Sequence, residues 1–444
     1  PVGPRADDPV ADGRADVNAL APIALPQDRN DRPVPQVIVV NDYAHIQGGG
    51  SKVAIVSAAA LARHGHRVIF FAAVGPVDPD LAASGAEVVC LDQMDILNDG
   101  SPLRAAARGL WNAEAARHFD RLLARFDPSF TVVHLHGWMK ALSSSVVRTA
   151  MDRGFPVIGT LHDYTAVCPN GGFFNYRSGT PCTLDPVGAR CVATDCDSRN
   201  YGHKLWRVAR HVVQQRRGGF SHPFARYVCL SDLNRSLHVG RLPAGARLET
   251  VRNPIDVAPA PIADPAANHD FVFVGRLAKE KGPVLFAQAA SAAGVPAVFI
   301  GDGYLTEAVR AAAPHAELTG WLRPESVLER IRRARTLIFP SLWPETQGLA
   351  VSEAAALGVP AIVSDACAAR EAVEDGVTGL LFRSGDAADL RRQIDRCGDD
   401  ALVRRMGRAA HARFWADPPT VDAHADALAA LYTRVLAEES VHHG

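Results

Sequence analysis

The chain has 444 residues, 48% of them hydrophobic, and its 47 lysines and arginines nearly cancel 48 aspartates and glutamates to leave a net charge of −1. That length and apolar content suffice for two or three domains with substantial cores. The near-neutral balance excludes an overall field that would draw in nucleic acid or a membrane surface, and no run approaches the ~18 apolar residues of a spanning helix.

Residues 1–33 mix Pro, Asp, Arg and Ala without periodicity and lack the basic-then-apolar order of a secretory signal. They read as a disordered tail, and the protein as cytoplasmic. Residues 36–41 (QVIVVN) form a β-branched apolar run, the mark of a strand buried on both faces. The run Gly48-Gly49-Gly50-Ser51 follows, then a helical pattern to about 64. Strands are expected at 67–73 and 87–91, one long helix at about 104–126, and strands at 131–136, 156–162, 226–231 and 247–252. Asn253-Pro254-Ile255-Asp256 and the Pro- and Ala-rich stretch after it read as a linker. Alternation restarts with strands at 271–275, 297–301, 317–321, 336–339, 360–364 and 379–382, and helices span about 387–439. This is an α/β chain with two doubly wound parallel sheets. The expected division is a tail at 1–33, a first domain at 34–254, a linker at 255–268, a second domain at 269–415, and a helix at 416–444 that crosses back to the first.

Ligands bind at the carboxyl ends of such strands, so the turns there were read for chemistry. Gly48-Gly49-Gly50 lets backbone approach a ligand at a helix N-terminus, although the spacing is not that of a dinucleotide fingerprint. His134 and His136 share a strand face by period two, and His136 is the last residue before Gly137-Trp138. His162-Asp163-Tyr164 ends the next strand at the same edge, either as polar groups beside a ligand or as caps of the following turn. In Gly275-Arg276-Leu277-Ala278-Lys279-Glu280-Lys281-Gly282 a turn can bring Arg276 and Lys281 to one anion. Gly301-Asp302-Gly303 and Gly320-Trp321-Leu322 close two further strands. The stretch FPSLWPETQGLAVSEAAALG (339–358) places Glu345 in a loop and Glu353 on the second turn of a helix. The unpaired N–H groups of that helix favour an anion, while carboxylates accept from hydroxyls.

Glu345, seven intervening residues and Glu353, framed by Pro340-Ser341, Gly348 and Gly358-x-Pro360, resemble the signature of retaining glycosyltransferases of family 4, the group 1 glycosyl transferases. The resemblance runs from Gln36 to about Glu438 and implies the GT-B fold, two Rossmann-like domains facing a cleft. It implies transfer of a sugar, with retention, from a UDP- or GDP-linked donor to a glycan or lipid-linked acceptor. Arg276 and Lys281 would hold the leaving diphosphate, Glu353 the ribose, and Glu345 with the amides of Gln347, Gly348 and Leu349 the donor sugar. His136 would contact that sugar, and Gly49, Gly50, Gly275, Gly303 and Leu322 would line the donor. His162, Asp163 and Tyr164 would lie on the acceptor side. No metal or other cofactor is expected at the catalytic centre. The chain departs from the family at Gln347, commonly Phe, and at 365–371, where a Gly-Gly pair is usual; both leave the donor sugar open.

Cys168, Cys182, Cys191 and Cys196 crowd one irregular segment with gaps of 13, 8 and 4 residues. Free thiols, a four-cysteine structural zinc site and disulfides are its readings, in that order. The segment follows His162 and is expected to form an acceptor-side rim. Residues 201–218 then pattern as a basic amphipathic helix, either a solvated face or a peripheral membrane contact. A GT-B sugar-nucleotide epimerase, a phosphorylase and a catalytically silent carbohydrate-binding scaffold are the rival readings.

Overall fold

The computed structural model describes residues 34–443, so the expected tail at 1–33 lies outside the described residues. Strands β1 (Gln36–Tyr43), β2 (Val68–Val74), β3 (Glu87–Cys90), β4 (Thr131–Leu135) and β5 (Val157–Thr160) alternate with helices. A short antiparallel hairpin, β6 (Phe174–Asn175) and β7 (Thr180–Pro181), interrupts the alternation before β8 (Arg226–Cys229) and β9 (Leu248–Thr250). The seven longer strands make one sheet of order β3-β2-β1-β4-β5-β8-β9. A second sheet has the order β12-β11-β10-β13-β14-β15, from β10 (Asp270–Val274), β11 (Ala297–Ile300), β12 (Glu317–Gly320), β13 (Ala334–Phe339), β14 (Ala361–Ser364) and β15 (Gly379–Phe382).

The described pairings within both large sheets are parallel. Parallel strands need helices on both faces, which explains why all eight residues of β1 are buried. In β10 the side chains alternate between two cores. Phe271 and Phe273 pack with Phe286, Phe299 and Leu390, while Val272 packs with Leu337, Val351 and Val363. In each sheet the strand order reverses beside its first strand, between β1 and β4 and between β10 and β13. Such reversals open a crevice at the strands' carboxyl ends.

The single helix expected over 104–126 is two, Pro102–Leu110 and Ala113–Leu123. Asn112 makes the break. Its Oδ1 caps the second helix at the Ala115 N–H, while its Nδ2 donates to Gln93 and to the Ala141 carbonyl.

The chain forms two compact units, one of 34–160, 213–227 and 425–443, the other of 161–212 and 228–424. In the first, the last helix (Val421–His443) contributes Tyr432, which bonds His134 at 2.7 Å, and Glu438, which pairs with Arg226 at 2.6 Å. In the second, the cysteine-bearing segment 161–212 groups with the β10–β15 sheet. Among the described residues no helix is long and apolar enough to cross a membrane.

Candidate active site

The reversal between β10 and β13 sends out two loops, 275–282 after β10 and 340–348 after β13. Gly282 joins them. Its φ of 69° is a left-handed conformation, and a side chain there would run into the Pro340 carbonyl. The buried Glu280 completes the joint, its carbonyl accepting from the Leu342 N–H at 2.8 Å and the Ser341 hydroxyl at 3.3 Å. From this frame Lys281 Nζ reaches Glu345 Oε1 at 2.5 Å, and Ser341 Oγ donates to the same oxygen at 2.7 Å. Glu345 is 7% exposed. Its carboxylate therefore sits where an uncompensated charge is costly, and Lys281 compensates it. The ammonium also lies 5.2 Å from the centre of the Trp343 ring.

Arg276 is largely exposed and is held to the same turn by Glu280 at 3.1 Å. Gly303 has no room for a side chain because the Leu277 carbonyl lies against it. Gly275, at φ 151°, donates its N–H to Ile300. Both glycines thus bind the 275–282 loop to the end of β11. Leu322 packs, partly buried, on the Val272 side of the sheet.

After Glu345 the chain enters the helix Leu349–Leu357 through Gly348, with no side-chain cap. Its first internal bonds run from the Val351 and Ser352 N–H groups to the Gly348 carbonyl. The preceding turn therefore presents N–H groups, and the positive end of the dipole, to a ligand. Glu353 stands half-buried on the next turn. The Gln347 side chain accepts the Asn253 N–H at 3.1 Å, so the residue that replaces the usual Phe ties this loop to the chain leaving β9.

His162, half-exposed, is nonetheless hemmed in: burial, and then the neighbouring His424, push it down to about 3. Its carbonyl accepts the Thr346 hydroxyl at 3.1 Å. Asp163 caps the following turn, accepting from the Thr165 N–H at 2.8 Å and hydroxyl at 2.6 Å, the capping alternative of the two readings. Tyr164 corrects the expectation of an acceptor-facing side chain. It is fully buried, its hydroxyl donates to the Pro344 carbonyl at 2.7 Å, and its ring stacks on His238 and meets Trp343 edge-on. It positions the 340–348 loop instead. Sequence reasoning assigned no role to Trp343, whose buried indole N–H has no hydrogen-bond partner among the described residues. It also missed the hold of Lys279, whose ammonium donates to the Tyr176 and Arg177 carbonyls of the β6–β7 hairpin at 2.8 and 3.0 Å. The segment 161–212 is thereby fastened to the 275–282 loop. A tryptophan between Ser341 and Pro344 was the available signal for the first; nothing local announces the second.

In the first unit, Gly48 precedes the helix Gly49–Arg63 with φ 132° and no side-chain cap, placing Gly49 and Gly50 in its first turn. His134 and His136 do share a face, their rings 4.3 Å apart. His134 is a core histidine with both ring nitrogens bonded, to Tyr432 and Thr160 at 2.7 Å each. His136 is 6% exposed.

The four cysteines of the segment 161–212 are all free, and Cys168, Cys191 and Cys196 are buried. Among the described residues no three His, Cys, Asp or Glu side chains are gathered as a metal's ligands would be, so the second reading, a four-cysteine zinc site, does not fit. What stands between Cys191 and Cys196 is Lys204, whose Nζ lies 3.4 Å from Cys191 Sγ and also bonds Cys196. This corrects the reading of the helix Tyr201–Arg216 as a basic outward face. Lys204 and Arg210 are buried, and Arg207 pairs with the buried Asp197 at 2.8 Å. The chain packs these cations inward because their stems cover apolar surface while their heads find sulfur and carboxylate partners.

Comparison with known proteins bears on the family and the fold. The family model for glycosyl transferases group 1 matches residues 268–400, and that for a glycosyl transferase 4-like domain matches 48–194. Glycogen synthase of Mycobacterium tuberculosis is 31% identical over 43% of this chain, which spans about half (49%) of that protein's length. D-inositol 3-phosphate glycosyltransferase of Mycobacterium leprae is 27% identical over 88% of this chain and 89% of its own. HepE of Anabaena, solved with UDP-glucose, shares the fold at a TM-score of 0.59 and 16% identity, over 90% of this chain and 99% of that one. With the two matches in tandem over its two doubly wound sheets, the chain belongs to the group 1 glycosyl transferases and has the GT-B fold.

Proposed function

We propose that the protein is a retaining hexosyltransferase, moving a sugar from a UDP- or GDP-linked donor to a glycan or lipid-linked acceptor. The observation that carries this reading is the Lys281–Glu345–Ser341 cluster, fixed on two loops joined at Gly282 beside the uncapped helix start at Gly348. Breaking a sugar–phosphate bond builds negative charge on the departing diphosphate. Lys281 and Arg276 stabilise that charge, the largest electrostatic contribution the site offers and one a divalent ion would otherwise supply. Lys281 enters this step already held by Glu345, and the diphosphate competes for it. Glu345, held by Ser341, accepts a hydroxyl of the donor sugar, and the N–H groups of Gln347, Gly348 and Leu349 face the same ring. Glu353 accepts the ribose hydroxyls. His136 has the donor-sugar role the family resemblance gives it. That the Anabaena protein was solved with UDP-glucose supports a nucleotide-sugar donor here.

The test is incubation with UDP- and GDP-sugars, with and without glycan and lipid-linked acceptors, following nucleoside diphosphate release. The anomeric configuration of the product is then read by NMR. Acceptor-dependent release with retention supports the reading. An epimerised donor, a phosphate-dependent reaction, or tight nucleotide binding with no turnover for any donor overturns it.

A further inference from the structure

Lys204 is an ion without a permanent counter-ion. No part of its side chain reaches solvent. Its ammonium bonds two sulfurs, Cys191 at 3.4 Å and Cys196, and among the described residues no carboxylate pairs with it. Asp197, the buried acid nearest in sequence, is taken by Arg207 at 2.8 Å. A buried ammonium is stabilised by a nearby anion, and the groups bonded to this one that could become anionic are the two cysteine sulfurs. The thiolate is also the form of cysteine that oxidants attack. Cys191 lies in the middle of the short helix Ala189–Ala193 and Cys196 just past its end, and the two sulfurs converge on one nitrogen.

We infer that Cys191 and Cys196, both bonded to Lys204, form a peroxide-sensitive thiol pair that closes to a disulfide. The thiolate attacks one oxygen of hydrogen peroxide, the O–O bond breaks, and the departing hydroxide takes a proton from the Lys204 ammonium to leave as water. The second thiol then attacks the resulting sulfenic acid, the S–O bond breaks, and a second water leaves. The sulfur pair is oxidised by two electrons and one peroxide is reduced to two waters. Burial by itself would lower Lys204, and the two sulfurs more than reverse it; burial raises Cys196, with Lys204 opposing. Oxidation removes the sulfur partners that raise Lys204. The consequence reaches the 275–282 loop, because the β6–β7 hairpin is fastened to Lys279 and the Tyr176 N–H bonds the Cys196 carbonyl at 3.2 Å. That consequence for turnover rests on the function proposed above; the disulfide does not.

The experiment titrates the purified full chain with hydrogen peroxide at neutral pH, quenches in acid, alkylates and maps peptides by mass. A Cys191–Cys196 disulfide forming at least tenfold faster than oxidation of the buried Cys229 or Cys397, and reversed by dithiothreitol, is the expected result. Lys204→Gln slows it about tenfold, because the cation beside the attacking sulfur is lost; should that variant not fold, the wild-type map alone decides. Equal resistance of all the buried cysteines overturns the inference, as does closure with Cys168 or Cys182 in place of this pair. One equivalent of co-purifying zinc that shields the four sulfurs overturns it too.

Discussion

Two lysines of the second unit are set against each other by their counter-ions. Lys281 faces the carboxylate of Glu345; Lys204 faces two thiols, which become anions only by losing a proton. Lys281 is about one-fifth exposed, near enough to solvent for an incoming anion to take it from its partner, whereas Lys204 is sealed. The difference teaches that a buried ammonium is no mark of function by itself. What matters is whether its partner can be exchanged, as at Lys281, or changed chemically, as at Lys204.

Exchanging each lysine for methionine is the sharpest way to break the comparison. Lys281→Met removes a charge aimed at the leaving group, and turnover should fall by about 10²–10³-fold, the usual cost of losing one such group. Lys204→Met replaces a sealed ion by an apolar side chain of similar volume, a change that is often neutral or stabilising, and turnover should stay within about twofold. Steady-state assays on both variants check this. Equal losses would mean that the two sites are not functionally separable.

The next largest effect is expected at Tyr164, which links the segment carrying Lys204 to the loop carrying Glu345. Tyr164→Phe leaves the buried Pro344 carbonyl without its donor, which should cost about 1–3 kcal/mol in denaturant unfolding. Because the loop and not the diphosphate is loosened, KM for the donor should rise more than kcat falls. A kcat-only defect would return Tyr164 to direct contact with substrate. Lys279→Ala should cost less, about 1 kcal/mol, since the side chain is part-exposed and its hydrogen bonds go to neutral carbonyls. Faster hydrogen exchange confined to the β6–β7 hairpin and the 275–282 loop is its signature.

These positions also mark where the sequence was readable. Buried parallel strands announce themselves as β-branched runs, so every strand of both large sheets was located by local pattern alone. The meeting of Lys281 with Glu345 was legible because the spacing and glycine frame behind the family resemblance are local. The break at Asn112 was not, because its cap is stabilised by Gln93, Ala141 and Ser143, partners about 20 to 30 residues away. Tyr164 was misread for the same reason. Its hydroxyl partner, Pro344, lies 180 residues along the chain, and a tyrosine at a strand end carries no local sign of burial. The basic helix was misread because a cation with an inward partner has the same sequence pattern as one facing water.

The smallest expected effect concerns the packing behind Tyr164, where His238 stacks on its ring at 5.2 Å. Burial pushes His238 down to about 4, against the opposing bond from its Nδ1 to the Asn234 carbonyl. The folded state thus keeps the ring neutral while the unfolded chain, at its ordinary value near 6.5, binds a proton as pH falls. Stability from this residue is fully present above about pH 6.5 and is lost progressively as pH drops toward 4, at up to about 1.4 kcal/mol per pH unit. His162, His211 and His424 are displaced in the same direction, to about 3, 4 and 4, so they steepen the loss without shifting its upper limit. Chemical denaturation from pH 8 to 5 should therefore show a plateau down to about 6.5 and then a decline. In His238→Asn the plateau is lower, because a buried ring is lost, but the decline between pH 6.5 and 5.5 is shallower by about 1 kcal/mol. An unchanged slope in that variant would mean that His238 takes up its proton in the folded state as readily as in the unfolded chain, so that its burial against Tyr164 does not hold it neutral.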